Sequence, residues 1–262
     1  MNSQAHGAAV LVAAALAIAA GNAIAQDDGA VISWATGLEY ATGKYGGTED
    51  IEELYLPINV RADFNRVAVS ITVPYLSVRA PAGTVLPDTG GEPVDGAGTI
   101  NTESGLGDVI ASATVYDVLY SDNYDVALDL TGKIKFGTAD FDKGLGTGEH
   151  DYTVRADVYK FFDGFTLMGS AGYKWRGEPD GVSLDDVMLG SIGGLFSVSP
   201  KSRIGVFYDY RESAISGNDA VSELSVLVSR RMSENWQIQF YGFTGFSDSS
   251  VDWGTGFILA ST

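Results

Sequence analysis

Cysteine is absent from all 262 residues. Its absence excludes disulfide staples, thiolate metal centres and thiol nucleophiles, and it suits a protein that faces a periplasm without covalent cross-links. Histidine is nearly absent as well: His6 lies in the N-terminal segment, so His150 is the one imidazole left for acid–base chemistry in the rest of the chain. His150 ends a loop between Glu149 and Asp151, with no Gly-x-Ser-x-Gly and no serine at a suggestive spacing. It therefore reads as a solvated loop residue, no cofactor is called for, and the chain is not read as an enzyme. Basic residues are scarce, 16 against 34 acidic, for a formal charge of −18. A polyanion is a poor partner for such a surface, which excludes nucleic acid. Beyond the first apolar run no stretch approaches the length of a transmembrane helix, so any membrane crossing must be made by strands.

That first run, Ala8 to Ala20, is followed by Ala23-Ile24-Ala25 before Gln26. A short apolar core and a small-x-small site are the marks of a secretory signal, although residues 1–25 contain no Lys or Arg. Thirteen apolar residues are few for about 30 Å of hydrocarbon, so the expectation is removal of 1–25, not an anchor. Residues 26–262 are then read as one domain.

What is abundant is alternation. From Asp125 to Phe136 the even positions carry Val126, Leu128, Leu130, Gly132, Ile134 and Phe136, and the odd ones Asp125, Ala127, Asp129, Thr131, Lys133 and Lys135. Period two is the signature of a strand with one apolar and one polar face. Twelve such strands are expected, near 30–41, 51–64, 67–79, 107–119, 124–136, 151–162, 165–176, 185–198, 203–211, 221–232, 236–246 and 251–260. Short links rich in Asn, Asp, Gly, Ser and Pro alternate strictly with longer ones, of which 80–106 and 137–150 are the longest. The expected fold is therefore all-β: an antiparallel, up-and-down transmembrane barrel of 12 strands with short periplasmic turns and long extracellular loops. A soluble sandwich has no reason to collect its long loops at one end.

This reading places the protein in the bacterial outer membrane, among lipid and lipopolysaccharide, inserted by the barrel assembly machinery. Its oligomeric state is left open. Aromatic residues near strand ends, among them Tyr40, Tyr45, Tyr55, Tyr75, Tyr173, Trp175, Trp236 and Trp253, are assigned to two interfacial girdles. Two irregularities stand out. At Pro74 the apolar parity of the third strand changes, which predicts a bulge there. Leu227 breaks the polar face of the tenth.

If the apolar faces meet lipid, the charged faces share the lumen. The candidate solute-contacting residues are Glu53, Arg61, Asp63, Asp129, Lys133, Lys135, Arg155, Asp157, Lys174, Arg176, Asp209 and Arg211, with Glu39, Asp125, Glu223 and Arg231 on the same faces. Eight acids balance eight bases in this wider set. Two readings of them stay open: mutual pairs that stiffen or plug the barrel, because an unpaired buried charge is costly, or a transverse field that orients a polar or anionic solute. Asp140-Phe141-Asp142-Lys143-Gly144 lacks the later ligands of a calcium loop. Gly144-Leu145-Gly146-Thr147-Gly148 precedes no helix, so it is no phosphate loop. The acidic loop 137–150 is expected to lie above a basic inner rim formed by Lys133, Lys135 and Arg155.

Gly105-Leu106-Gly107-Asp108 at a strand start, Gly132-Lys133-Ile134-Lys135-Phe136-Gly137-Thr138 at a strand end and the following Leu145-Gly146-Thr147-Gly148 resemble outer-membrane proteins of the meta-pathway phenol degradation family. The resemblance covers mainly 104–175, and the family often has Pro where this chain has Gly137. It implies a transporter for hydrophobic or aromatic compounds. The expected function is thus passive passage of a small-molecule solute. The alternatives are a non-conducting structural or adhesive barrel and, with less support, an outer-membrane hydrolase.

Overall fold

The computed structural model describes residues 30–88, 92–94 and 96–261; the segment 1–25, read above as an export signal, lies outside them. Thirteen strands follow one another: β1 (Val31–Gly43), β2 (Ile51–Asp63), β3 (Val67–Pro81), β4 (Ile100–Leu106), β5 (Val109–Ser121), β6 (Val126–Phe136), β7 (Asp151–Phe162), β8 (Phe165–Trp175), β9 (Val187–Ser199), β10 (Ser202–Arg211), β11 (Val221–Arg231), β12 (Trp236–Gly245) and β13 (Trp253–Ser261). All pairings are antiparallel, and β13 pairs back onto β1 from Ala35↔Ala260 to Thr42↔Trp253, which closes the sheet. β4 and β5 both pair with β3, along Tyr75–Pro81 and Val67–Thr72 respectively, and so make a single stave. The barrel has twelve staves and closes on itself, the condition for placing a sheet in hydrocarbon, while β4, at the long-loop end, pairs with β3 alone among the described strands.

The links at one end are 64–66, 122–125, 163–164, 200–201 and 232–235, and at the other 44–50, 82–99, 137–150, 176–186, 212–220 and 246–252. Short turns face the periplasm and long loops the cell exterior. On the outer wall Ile32, Ile58, Ile71, Val154 and Ile192 are each more than half exposed, an arrangement that only a lipid solvent makes favourable. Trp34 and Trp236 pack edge to face at 5.1 Å at the short-turn end, and Tyr40 and Trp253 lie 5.5 Å apart at the other. Tyr45 and Tyr55, assigned to the girdles from sequence, instead lie in the buried interior cluster. Placing a charge on the belt should be costly: Ile58→Arg, near the middle of β2, is expected to lose about 2–4 kcal/mol in urea unfolding from lipid vesicles. A loss no larger than that of Arg at an interfacial position would contradict the lipid assignment.

The bulge expected in the third strand is in its neighbour. β3 pairs with β2 without a shift through Pro57↔Pro74. The extra residue is in the β4–β5 stave at Gly107-Asp108, since Tyr75 faces Leu106 but Thr72 faces Ile110. Pro74 has no N–H to offer, and the irregular backbone opposite it supplies the bond in the other direction, Gly107 N–H to Pro74 C=O at 3.0 Å. The parity of β3 is constant: Ala68, Ser70, Thr72, Leu76, Val78 and Ala80 all face inward. Leu76 and Val78 are apolar because they join Leu86 and Leu145, from the connections 82–99 and 137–150, in the interior cluster. Residues 100–106, expected within a loop, extend this hairpin upward as β4.

Candidate functional site

The interior is divided by height and by wall. Towards the short turns, Tyr159, Met168, Leu195, Phe207 and Leu227 point inward from β7 to β11 and are buried. Leu227 is therefore no exception to the inward face; it packs inside, where a Cβ added at Gly205 would lie within 3.2 Å of Phe207, Leu195 and Leu227 alike. The missing side chain at Gly205 is the space these three occupy.

Higher up, a cavity of about 240 Å³, lined from β1 round to β12, runs from Leu86, Pro87 and Asp88 down to Arg61 and Tyr116. Along it, polar neutral side chains pair directly across neighbouring strands. Asn59 Nδ2 donates to Thr72 Oγ1 at 2.7 Å, Ser70 and Ser112 hydroxyls meet at 2.8 Å, and those of Thr114 and Thr131 at 3.0 Å. On the far wall Ser170 and Ser191 repeat the contact at 2.8 Å. The sequence alone does not reveal this hydroxyl ladder; its signal is small polar residues at inward positions of adjacent strands, visible only once the register is known.

The charged candidates divide into three groups. Arg61 forks onto Asp63, Nε to Oδ2 at 2.7 Å and a terminal nitrogen to Oδ1 at 2.8 Å. Tyr116 donates to the same carboxylate and lies under the guanidinium at 5.7 Å. Arg155 pairs with Asp157 at 3.1 Å. These two pairs belong to the stiffening role, as does Asp129, which accepts the N–H of Asp117, a residue held at φ 48° where β5 is irregular. Glu53 is buried beside the interior cluster, and Glu39 accepts from Tyr241 at 2.6 Å. Asp125 departs from the expectation: it precedes β6, has φ 49° and is exposed to solvent.

The second group is a network of six at the outer mouth. Lys135 Nζ lies 3.1 Å from Asp108 and 3.2 Å from Asp151, and donates to Thr147 Oγ1 at 2.9 Å and Pro87 C=O at 3.1 Å. Lys174 and Arg176 both hold Asp88, at 2.5 and 2.7 Å, and both also approach Asp151, at 3.7 and 4.0 Å. Burial would raise the Asp88 carboxyl, but Arg176, Lys174 and Lys135 around it outweigh this and hold it well below the usual carboxylate range. The connection 82–99 thus enters the barrel and is fastened to the opposite wall. It is fixed again further on, where Glu92 accepts from the Ser213 hydroxyl, the Ala214 N–H and Asn218 Nδ2. Gly144 completes the seat: its φ is 69°, and a Cβ there would lie 1.9 Å from the Thr84 carbonyl.

The acids that meet the basic rim are thus Asp88, Asp108 and Asp151, not the loop carboxylates Asp140, Asp142 and Glu149, which are exposed. Loop 137–150 contributes Leu145 and Thr147 instead. Asp108, from Gly-Leu-Gly-Asp, also accepts the N–H groups of Thr138 and Ala139 at 2.9 and 2.8 Å, so two of the motifs quoted from sequence fold onto one another. The third group, Lys133, Asp209 and Arg211, lines the cavity and makes no ion pair among the described residues.

A closed twelve-stave barrel with a lipid-facing apolar belt, a polar interior and an inward-folded outer loop defines the class: an outer-membrane β-barrel. Residues 62–260 match the family described as putative MetA-pathway of phenol degradation, and the chain belongs to it. Among solved structures it is similar to the COG4313 outer membrane channel from Pseudomonas putida F1, with a TM-score of 0.68 and 12% identity over 92% of this chain and 98% of that one. The NanC porin (TM-score 0.56, 9% identity, 88% and 98% covered) and the KdgM porin (0.54, 12%, 88% and 98%) have the same fold. No curated protein matches the sequence.

Proposed function

We propose that the barrel gives passive passage across the outer membrane to small molecules of about the size of one aromatic ring. The observation that carries this reading is the cavity of about 240 Å³ left between the inward loop and the hydroxyl ladder. It exceeds the volume of about 150 Å³ in which an apolar protein cavity holds benzene. The family's description, with its reference to phenol degradation, agrees with a ring-sized cargo. The polar wall offers hydroxyl and charged partners in place of water, so a ring bearing a polar group is favoured over a plain hydrocarbon.

Planar-bilayer recording and uptake into proteoliposomes test the proposal. The expected outcome is discrete conductance steps and saturable entry of ring-sized polar solutes, with larger solutes excluded. A protein that migrates as a folded, heat-modifiable barrel yet passes neither ions nor solute would overturn it. That result would favour the closed structural barrel, a reading that the fastened loop and the apolar lower interior also serve.

A further inference from the structure

The six cations lining the cavity are Arg61, Lys133, Lys135, Arg155, Lys174 and Arg211. Four of them have carboxylate partners, and Lys133 and Arg211 have none among the described residues. Both are half-buried, so each keeps donors free to offer a solute that enters the cavity. Asp209 shares its face two residues earlier and Glu223 stands opposite Asp209 on β11; both feel the charge of Arg211, but neither comes within ion-pair distance of it.

Beside these acids Arg211 also has an apolar flank. Its direct neighbours across the two flanking strands are Leu189 and Val221, and both line the cavity. Lys133 stands between Ser112 and Thr153, two hydroxyl residues that also line it. A planar guanidinium and an ammonium facing one space complement a carboxylate, which the guanidinium can bind with two parallel hydrogen bonds. Aliphatic side chains beside the guanidinium complement the apolar body attached to that carboxylate. We infer that the cavity is a binding site for a small aromatic carboxylate, its acid group held between Lys133 and Arg211 and its ring laid against Leu189 and Val221.

This inference rests on the passage proposed above, and benzoate is the probe that separates the two. Added to a conducting barrel, benzoate should block chloride current at concentrations where benzyl alcohol, its neutral analogue, and acetate, which lacks the ring, do not. Lys133→Gln and Arg211→Gln should each raise the half-blocking concentration at least tenfold. Arg211→Lys should fall between, because it keeps the charge and loses the fork. Arg79→Gln, at an exposed rim pair with Glu52, should leave block unchanged. Equal block by benzyl alcohol, or undiminished block in the folded glutamine variants, would overturn the site while leaving the channel intact. Calorimetric titration of benzoate into the detergent-solubilised barrel reads the site without conduction: heat lost in both glutamine variants supports it even if the barrel proves closed, and no heat in the parent protein overturns it.

Discussion

Lys135→Met is expected to cost about 3–5 kcal/mol of folding stability, the range for removing one partner of a buried ion pair. The side chain is 7% exposed, and its ammonium has three protons to share among Asp108, Asp151, Thr147 and Pro87. Methionine fills the space of the stem but takes from Asp108 and Asp151, 6% and 2% exposed, the ammonium they share, leaving Asp108 with backbone N–H groups alone and Asp151 with the longer contacts to Lys174 and Arg176. The damage is to charge, not to packing, so it should be reversible by charge: adding Asp108→Asn and Asp151→Asn to Lys135→Met should recover most of the loss. The exposed Arg79–Glu52 pair gives the contrast, since its partners are 47% and 36% exposed and Arg79→Gln should change stability by no more than about 1 kcal/mol. Urea unfolding from lipid vesicles reads all three. Equal small losses for Lys135→Met and Arg79→Gln would show that the mouth network is hydrated and does not hold the fold.

That network explains why part of this protein was legible in its sequence and part was not. The outer wall was legible because its solvent is uniform: every residue between two girdles meets lipid, so Leu54, Ile58 and Val60 on β2 or Val226 and Val228 on β11 declare themselves by hydropathy alone. Turn chemistry then sets the strand count at twelve, which agrees with the twelve staves, although 100–106 carries no strand signal of its own. The interior has no uniform solvent. Leu76 and Val78 read as lipid-facing after Pro74 because a lumen was assumed to be polar, whereas their neighbours are Leu86 and Leu145, brought in by loops distant in sequence. The same dependence hid Asp88 and Glu92, acids in a loop that otherwise looks external. Arg61 pairs with Asp63 and Arg155 with Asp157, each two residues apart on one strand face, a spacing the sequence contains although it does not say which of the open readings applies. That Lys133 and Arg211 stay beyond ion-pair distance of every described carboxylate cannot be read from spacing, because it is a property of everything around them.

Replacing residues 83–98 with Asn-Gly should raise single-channel conductance several-fold and shift selectivity toward anions. The excision is geometrically mild: Ala82 N–H already donates to Thr99 C=O at 3.1 Å, so β3 and β4 can be joined by a two-residue hairpin turn. It removes Leu86, Pro87 and Asp88 from the cavity lining and three acidic residues, Asp88, Glu92 and Asp95, with no base. Lys174 and Arg176 would then lose Asp88, and the mouth would become more positive. The same contact sets the acid response of the intact barrel. Because the folded carboxyl of Asp88 is depressed, it stabilises the docked loop fully above the ordinary carboxylate pKa of about 3.9 and loses that contribution only as pH falls below it. Conductance of the parent protein should therefore be flat from neutral pH down to about pH 4 and rise below it as the loop is released. The excised variant should be open throughout, with no such step. No rise below about pH 4 in the parent, or unchanged conductance after excision, would mean that Asp88 and its loop do not hold the mouth closed.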